Sequence, residues 1–382
     1  MIGILTFHKS VNYGSVLQTW ALQRALAIRD CSPEIIDYEP EKYEEMYSVF
    51  VKPGTLRSVM RNINRLPVSG ILRRQRESFE KFRLENLPVG KKVWKHDDAY
   101  GEIGRYYEAI ITGSDQIWNI GATDADIIYF LPFEAASRKI AYAVSLNTGS
   151  FEDSDRKEQY RKWIMDYDYL SCREQDGVDK LHALLGSDVR VDLALDPTLL
   201  HKKKEYAAIT SPRRIRKPYI FVYYVWYDDS IVNAARELGA RTGLPVYTIE
   251  MAKGGRTWLK LWKKGIRPVT RFLSPGDYLS LIRNADYVVT DSFHGTAFSI
   301  IFEKQFVCIN DGDPGRGYKN DVRIRGILER LGLGNRFVTC EELAGFDIDS
   351  PIDYSSVTGR RLKLASECMD RLISAVKGQN IE

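Results

Sequence analysis

Apolar residues fall in short runs along the chain, and the period of each run indicates the element it builds. Ile2–Phe7 is almost continuously apolar, as expected for a strand buried on both faces of a parallel sheet. Leu17, Ala21, Ala25 and Ile28 then recur at helical spacing with Trp20 beside them, and Glu34–Tyr38 returns to a strand. Ser15 with Gln18 makes a capping-box pattern for that helix, and Asn12 is a second candidate cap. The result is a βαβ unit. A long basic stretch follows, helical over Leu72–Leu84, and then strands at Ala109–Thr112, Lys139–Ser145, Tyr169–Glu174 and Val191–Leu195, with a helix at Gly177–Leu185.

A linker rich in charge and proline, His201–Pro218, separates this run from a second one. Strands are predicted at Tyr219–Trp226, Val246–Glu250, Ala285–Thr290 and Gln305–Asn310, and helices at Ser230–Thr242, Pro275–Asn284 and Thr296–Lys304. An amphipathic helix over Leu362–Lys377 closes the chain. Two successive alternations predict an α/β fold of two Rossmann-like domains with parallel sheets around a central cleft. The expected division is residues 1–205, residues 206–355, and a C-terminal helix, residues 356–382, packing back across the domains. Ligands of such sheets bind beyond the carboxyl ends of strands, so the turns there are where chemistry is sought.

Composition narrows the setting. With 382 residues the chain can bury two cores. Its apolar runs are far shorter than the roughly 18 residues of a membrane span, and Met1–Phe7 reads as a strand rather than a signal peptide. Cys31, Cys172, Cys308, Cys340 and Cys368 are scattered without a Cys-x-x-Cys pair, so neither a zinc site nor a disulfide framework is expected. No metal is expected, and a reducing, cytoplasmic location is. The net charge is +4, but Lys52–Lys95 holds twelve Lys/Arg against three Glu. Lys253–Arg271 holds seven basic residues, no acid, and Trp258 and Trp262 four apart. That second pattern suits peripheral contact with an anionic membrane surface. No nucleic-acid-binding signature accompanies the charge.

Three turns carry candidate chemistry. The first, after the opening strand, contains His8, Asn12, Tyr13 and Gly14. A single glycine here does not make a dinucleotide fingerprint. A polar turn leading to a helix N-terminus suits an anionic or sugar ligand, while Asn12 and Gly14 serve turn geometry equally well. The second turn holds Ser114, Asp115, Gln116 and Trp118, a combination suited to a carbohydrate: polar groups bond hydroxyls and an indole covers the ring. Trp118 fits a core position as well, whereas Asp115 lies beyond a strand end, where a carboxylate seldom serves as core. In the third, a strand delivers Ser292 and His294 into a turn, Gly295 permits close backbone approach, and Thr296 starts a helix. A phosphate at that helix N-terminus would meet His294, which can donate to it or move a proton near neutral pH.

These segments together resemble the polysaccharide pyruvyl transferase family. The resemblance rests on Thr6-Phe7-His8 with Asn12-Tyr13-Gly14 and Leu17-Gln18, then Thr112-Gly113-Ser114-Asp115-Gln116-Ile117-Trp118-Asn119, Asp196-Pro197-Thr198, and Thr290-Asp291-Ser292-Phe293-His294-Gly295. It implies a GT-B-like arrangement of the two domains and phosphoenolpyruvate as donor substrate, with no cofactor. It also implies transfer of a pyruvyl ketal onto a diol of a sugar, in a surface polysaccharide or a lipid-linked oligosaccharide precursor. On that reading His294 and Asp115 are catalytic. His8, Asn12, Tyr13, Gly14, Ser114, Gln116 and Trp118 face the acceptor in the first domain, and Ser292, Gly295 and Thr296 face the donor in the second. Family members resemble Ser-x-Arg-x-His at the histidine, and here the arginine position is Ser292. The donor's carboxylate and phosphate still need cations, for which Arg316, Arg323 and Arg173 are the candidates. Two other readings stay open: a GT-B glycosyltransferase using a nucleotide sugar, and a non-catalytic binding member of a polysaccharide assembly complex.

Overall fold

The computed structural model describes all residues except 41–45, 96–101, 123–124, 134–136, 250–253, 311–320 and 381–382. Two parallel sheets organise it. The first contains β1 (Ile2–Leu5), β2 (Pro33–Glu39), β3 (Val89–Lys95), β4 (Ala109–Thr112), β5 (Arg138–Val144), β6 (Tyr169–Cys172) and β7 (Asp192–Leu193), in the order 3-2-1-4-5-6-7. The second contains β8 (Ile220–Tyr223), β9 (Val246–Thr248), β10 (Arg267–Pro268), β11 (Tyr287–Thr290), β12 (Gln305–Ile309) and β13 (Phe337–Val338), in the order 10-9-8-11-12-13. Every named pairing is parallel. The central strands β1, β4, β5, β6, β8, β11 and β12 are buried on both faces and read as continuous apolar runs, whereas the edge strands β3 and β10 are partly exposed. Strand order reverses between β1 and β4 in one sheet and between β8 and β11 in the other, so each sheet opens a crevice at its carboxyl edge.

The helices that matter for the site are α1 (Tyr13–Ala27), α2 (Leu56–Arg65), α3 (Ser69–Asn86), α4 (Lys157–Met165), α5 (Gln175–Leu185), α6 (Asp229–Thr242), α7 (Gly255–Lys263), α8 (Pro275–Asn284), α9 (Phe293–Ile301), α10 (Val322–Leu331) and α11 (Tyr354–Lys377). At three helix starts a side chain caps earlier than the sequence pattern suggests. Asn12, not Ser15, caps α1: its Oδ1 accepts from the Gly14 and Ser15 amides. Ser292 caps α9, which begins at Phe293 rather than Thr296, so His294 lies in the first helical turn. Asp353 caps α11, which starts eight residues before Leu362. Helices α2 and α7 occupy the basic stretches.

One hydrophobic core runs through both sheets, taking in Tyr13 and Phe79 from the first and Tyr223, Tyr278 and Phe298 from the second. Tyr13 stacks on Tyr278 at 4.9 Å and donates to the Leu273 carbonyl at 3.0 Å. Helix α11 returns across the first sheet. Arg361 donates to the carbonyls of Leu199 and His201 at 2.7 Å, and Arg138 of β5 donates to that of Val376. Tyr13 thus ties α1 to α8 of the second half, while α11 ties back to the first.

Candidate active site

Five loops at strand ends meet between the sheets. After β1, Gln18 of α1 accepts from the Ser114 amide at 3.0 Å and donates to Thr6 Oγ1 and the Ser15 carbonyl. This pins the loop after β4, where Asp115 sits at φ 69°, a left-handed conformation that aspartate tolerates better than most residues. The Asp115 amide bridges to the end of β5, its carbonyl accepting from the Ser145 amide, and its Oδ2 accepts from Ser15 at 2.5 Å. After β6 come Arg173 and Glu174. Glu174 is fixed by Ser145 and by the amides of Leu146 and Asn147. After β7 comes Asp196, and β11 delivers His294 from the second sheet.

Asp196 is the hub of this cluster. Its Oδ1 accepts from the Thr198 amide and hydroxyl at 2.9 and 2.7 Å. Its Oδ2 accepts from Arg173 at 2.8 Å and Ser114 at 3.2 Å, and faces His294 Nε2 at 3.6 Å. Burial by itself would push this carboxyl up. The neighbouring His294 and Arg173 and the Thr198 donor outweigh it and hold Asp196 well below the usual carboxylate range. Arg173 lies 4.3 Å over the Phe293 ring, 3.8 Å from Asp115 and 3.7 Å from Glu174. Its Nε and Nη2, like His294 Nε2, have no hydrogen-bond partner among the described residues. Buried guanidinium donors left over in this way are groups that an anion satisfies.

Helix α1 approaches His294 so closely that a Cβ on Gly14 would lie 2.1 Å from Nδ1, so only glycine leaves the imidazole its place. Gly295 has the same relation to the β11 hydroxyl, with a Cβ there 2.2 Å from Thr290 Oγ1. Beside the histidine, Asp291 has one carboxylate oxygen shut off from solvent and unpaired. Burial pushes its pKa up to about 8 against the Val225 amide that donates to it. The Thr296 hydroxyl is turned back to the Ser292 carbonyl and Cys308 Sγ.

The remaining residues singled out in the sequence are placed elsewhere. Trp118 is in the core, its Nε1 donating to the Tyr129 carbonyl and its ring stacked on Phe130. Tyr13 is likewise fully buried, bonded to Leu273 and accepting from Gln75. His8 is buried against Asp37 at 3.1 Å. Burial works against the Asp37 charge, but hydrogen bonds from His8 and Lys9 bring its pKa down to about 2. The Gln116 side chain accepts from Asn119 and Asn147. Arg323 is held by Asp321 through Nε at 2.9 Å and Nη2 at 2.5 Å, at the start of α10. Arg316 and Lys253 lie outside the described residues. Asp196, Ser15 and Glu174 were not among the predicted site residues, although the strand-end argument that selects Asp115 selects Asp196 equally well. Among the described residues no group of three or more His, Cys, Asp or Glu is arranged to hold a metal ion.

Comparison with solved structures finds proteins of similar fold over nearly the whole chain. A putative UDP-N-acetylglucosamine 2-epimerase from Listeria monocytogenes matches with TM-score 0.53 and 10% identity, over 99% of this chain and 97% of the other. The trehalose-6-phosphate synthase OtsA matches with TM-score 0.53 and 10% identity, over the full length of both chains. MnaA of S. aureus, solved with UDP, matches with TM-score 0.50 and 10% identity, over 98% and 95%. At these identities the likeness is one of fold alone. No curated protein sequence matches significantly. The family model for polysaccharide pyruvyl transferases, however, matches residues 12–313, a span that includes the α1 cap, the Asp115 loop, Arg173, Asp196 and His294; the chain belongs to the polysaccharide pyruvyl transferase family.

Proposed function

We propose that the protein moves the pyruvyl group of phosphoenolpyruvate onto two hydroxyls of a sugar as a ketal, in the assembly of a surface polysaccharide or its lipid-linked precursor. The observation that carries this reading is that Arg173, beside His294 in a chain of this family, has Nε and Nη2 without hydrogen-bond partners among the described residues and making only long ion pairs, 3.7 Å to Glu174 and 3.8 Å to Asp115. Arg173 supplies from the first sheet the guanidinium that Ser292 does not supply from the second, and its Nε and Nη2 suit a carboxylate or phosphate bidentately.

The enol of the donor takes a proton at its methylene carbon, leaving an oxocarbenium-like centre. One sugar hydroxyl attacks that centre and gives up its proton. The C–O bond to phosphate breaks, inorganic phosphate leaves, and the second hydroxyl closes the ketal and gives up its own proton. His294, backed by the Asp196 carboxylate, moves protons, and Asp115, fixed by Ser15, anchors or deprotonates a hydroxyl. Incubation with phosphoenolpyruvate and candidate sugar diols, following phosphate release and a heavier product, tests the reaction. Near-normal turnover by His294→Ala, with an unchanged melting temperature, removes His294 from the chemistry. A nucleotide-sugar transferase is the second reading, favoured by the UDP-bound neighbour of the same fold. Thermal shifts separate the two, because phosphoenolpyruvate and UDP would stabilise different enzymes.

A further inference from the structure

Helix α2 is amphipathic with its faces reversed. Its polar side is turned to the protein: Asn62 exchanges hydrogen bonds with the backbone of Val51, and Arg65 donates to the carbonyls of Ser48 and Val49. Its apolar side, Leu56, Val59, Met60 and Ile63 at helical spacing with Leu66 just beyond, is turned outward. Leu56 is 80% exposed, Ile63 58% and Leu66 65%, and no residue of the helix is buried. A surface helix of a globular protein normally does the opposite.

Helix α7 of the second sheet meets it. The Arg256 amide donates to Asn64 Oδ1 at 3.2 Å, and Trp258, Leu259 and Trp262 add three exposed apolar side chains, Trp262 at 66%. The combined face is ringed by cations, Arg57 and Arg61 from α2 and Arg256, Lys260 and Lys263 from α7. No acidic residue occurs between Met46 and Arg76 or between Gly254 and Gly276. From neighbouring elements, Asp229 of α6 faces the patch edge and is paired with Lys264. An open groove of 1220 Å³, lined by Phe50, Lys52, Arg57, Met60, Arg61 and Arg256 among others, runs beside it.

We infer that α2 and α7 together form a docking surface for an anionic lipid bilayer. Apolar side chains enter the acyl boundary and the basic ring meets the headgroups, with Trp258 and Trp262 at the level where amphipathic rings settle. A second copy of the chain is the less suitable occupant, because a two-fold contact through this face would set one basic ring against another. Both helices follow strands at their carboxyl ends, α2 after β2 and α7 after β9, so they share the side of the sheets that carries Asp196 and His294. Among the described residues no helix is long and apolar enough to cross a membrane, and this surface attaches without crossing.

The test is sedimentation of the full chain with vesicles of phosphatidylcholine alone or mixed with phosphatidylglycerol. The expected result is binding to the mixed vesicles only, weakened by salt, with a blue shift of tryptophan fluorescence. Ile63→Glu combined with Trp262→Glu should lower partitioning at least tenfold. Leu84→Glu, an equally exposed apolar position on α3, should leave it unchanged. All these side chains are in solvent, so circular-dichroism melts should coincide. Absence of binding to anionic vesicles, or full binding by the double variant, overturns the inference. So does a concentration-dependent dimer that the double variant abolishes, which would assign the face to a second copy. The surface stands apart from the transfer chemistry, so failure here leaves the proposed reaction untouched.

Discussion

Gly14→Ala sets two physical effects against each other in one substitution. Gly14 lies in the first turn of α1, where its amide bonds to Asn12, so by backbone propensity alanine should stabilise the helix, by about 1 kcal/mol at an interior position. The new methyl, however, would sit 2.1, 2.5 and 2.7 Å from Nδ1, Cγ and Cε1 of His294. A whole ring edge cannot be cleared by rotating a side-chain tip, so the imidazole must retreat by more than ~1 Å to reach ordinary contact. Nε2 now faces Asp196 at 3.6 Å. For an imidazolium at an effective dielectric of ~20, a displacement that took Nε2 to about 5 Å would lower the attraction from about 4.6 to about 3.3 kcal/mol, roughly a tenfold effect. Misplacement of a reacting group by about 1 Å costs up to ~100-fold. Turnover, read as phosphate release from phosphoenolpyruvate in the presence of an acceptor, should therefore fall between about 10- and 100-fold while the chain stays folded. Wild-type turnover in the alanine variant would show that the position of His294 against α1 is irrelevant to the reaction.

Other expectations follow from single residues. Arg173→Lys keeps a charge but loses the planar fork, so thermal stabilisation by phosphoenolpyruvate should largely disappear; an unchanged shift would move the donor site away from Arg173. Trp118→Ala should destabilise by about 3–5 kcal/mol in denaturant unfolding and leave the acceptor KM of the surviving folded fraction unaltered, the mark of a core residue. Asp37, lowered to about 2, adds stability that is complete above the unfolded carboxyl's range and lost as pH falls through about 2. The melting-temperature gap to Asp37→Asn should accordingly close on acidification. Asp291, raised to about 8, binds its proton more tightly when folded, so its contribution is present at acid pH and lost as pH rises from about 4 towards 8. Asp291→Asn should gain on the wild type across that window, and parallel pH profiles would contradict it.

The apolar runs announced the central strands of both sheets, because strands buried on two faces leave a continuous signal; β3, β10 and β13, at the sheet edges and part-exposed or only two residues long, left none. Helix starts were less legible. Asn12 and Ser292 compete with nearby Ser15 and Thr296 for the same amides, and only the path of the chain decides which side chain reaches them. Trp118 and Tyr13 show the same limit from the other side: an aromatic beside polar residues reads as a binding platform until the packing of Phe130 or Tyr278 against it is known. Helix α2 escaped notice because its apolar spacing is ordinary, and what sets it apart is which face the protein covers. The contact between Gly14 and His294 joins positions 280 residues apart, which no local pattern encodes.

The arrangement around Asp196 also bears on how, under the proposed function, the site would replace the arginine expected at Ser292. A cation on the His294 turn would belong to the second sheet and travel with the histidine. Arg173 belongs to the first, is anchored through Nη1 to Asp196, and lies over Phe293 of the second. The same carboxylate therefore positions a guanidinium from its own sheet and an imidazole from the other. Both groups are buried, His294 7% and Arg173 5% exposed. On the proposed reaction, Asp196 holds both groups toward the same anion, which couples proton transfer to charge neutralisation. A site built in this way should lose donor binding and turnover together in Asp196→Asn, since neither cation keeps its place. If KM for phosphoenolpyruvate held while kcat alone fell, Asp196 would be shown to serve the histidine only.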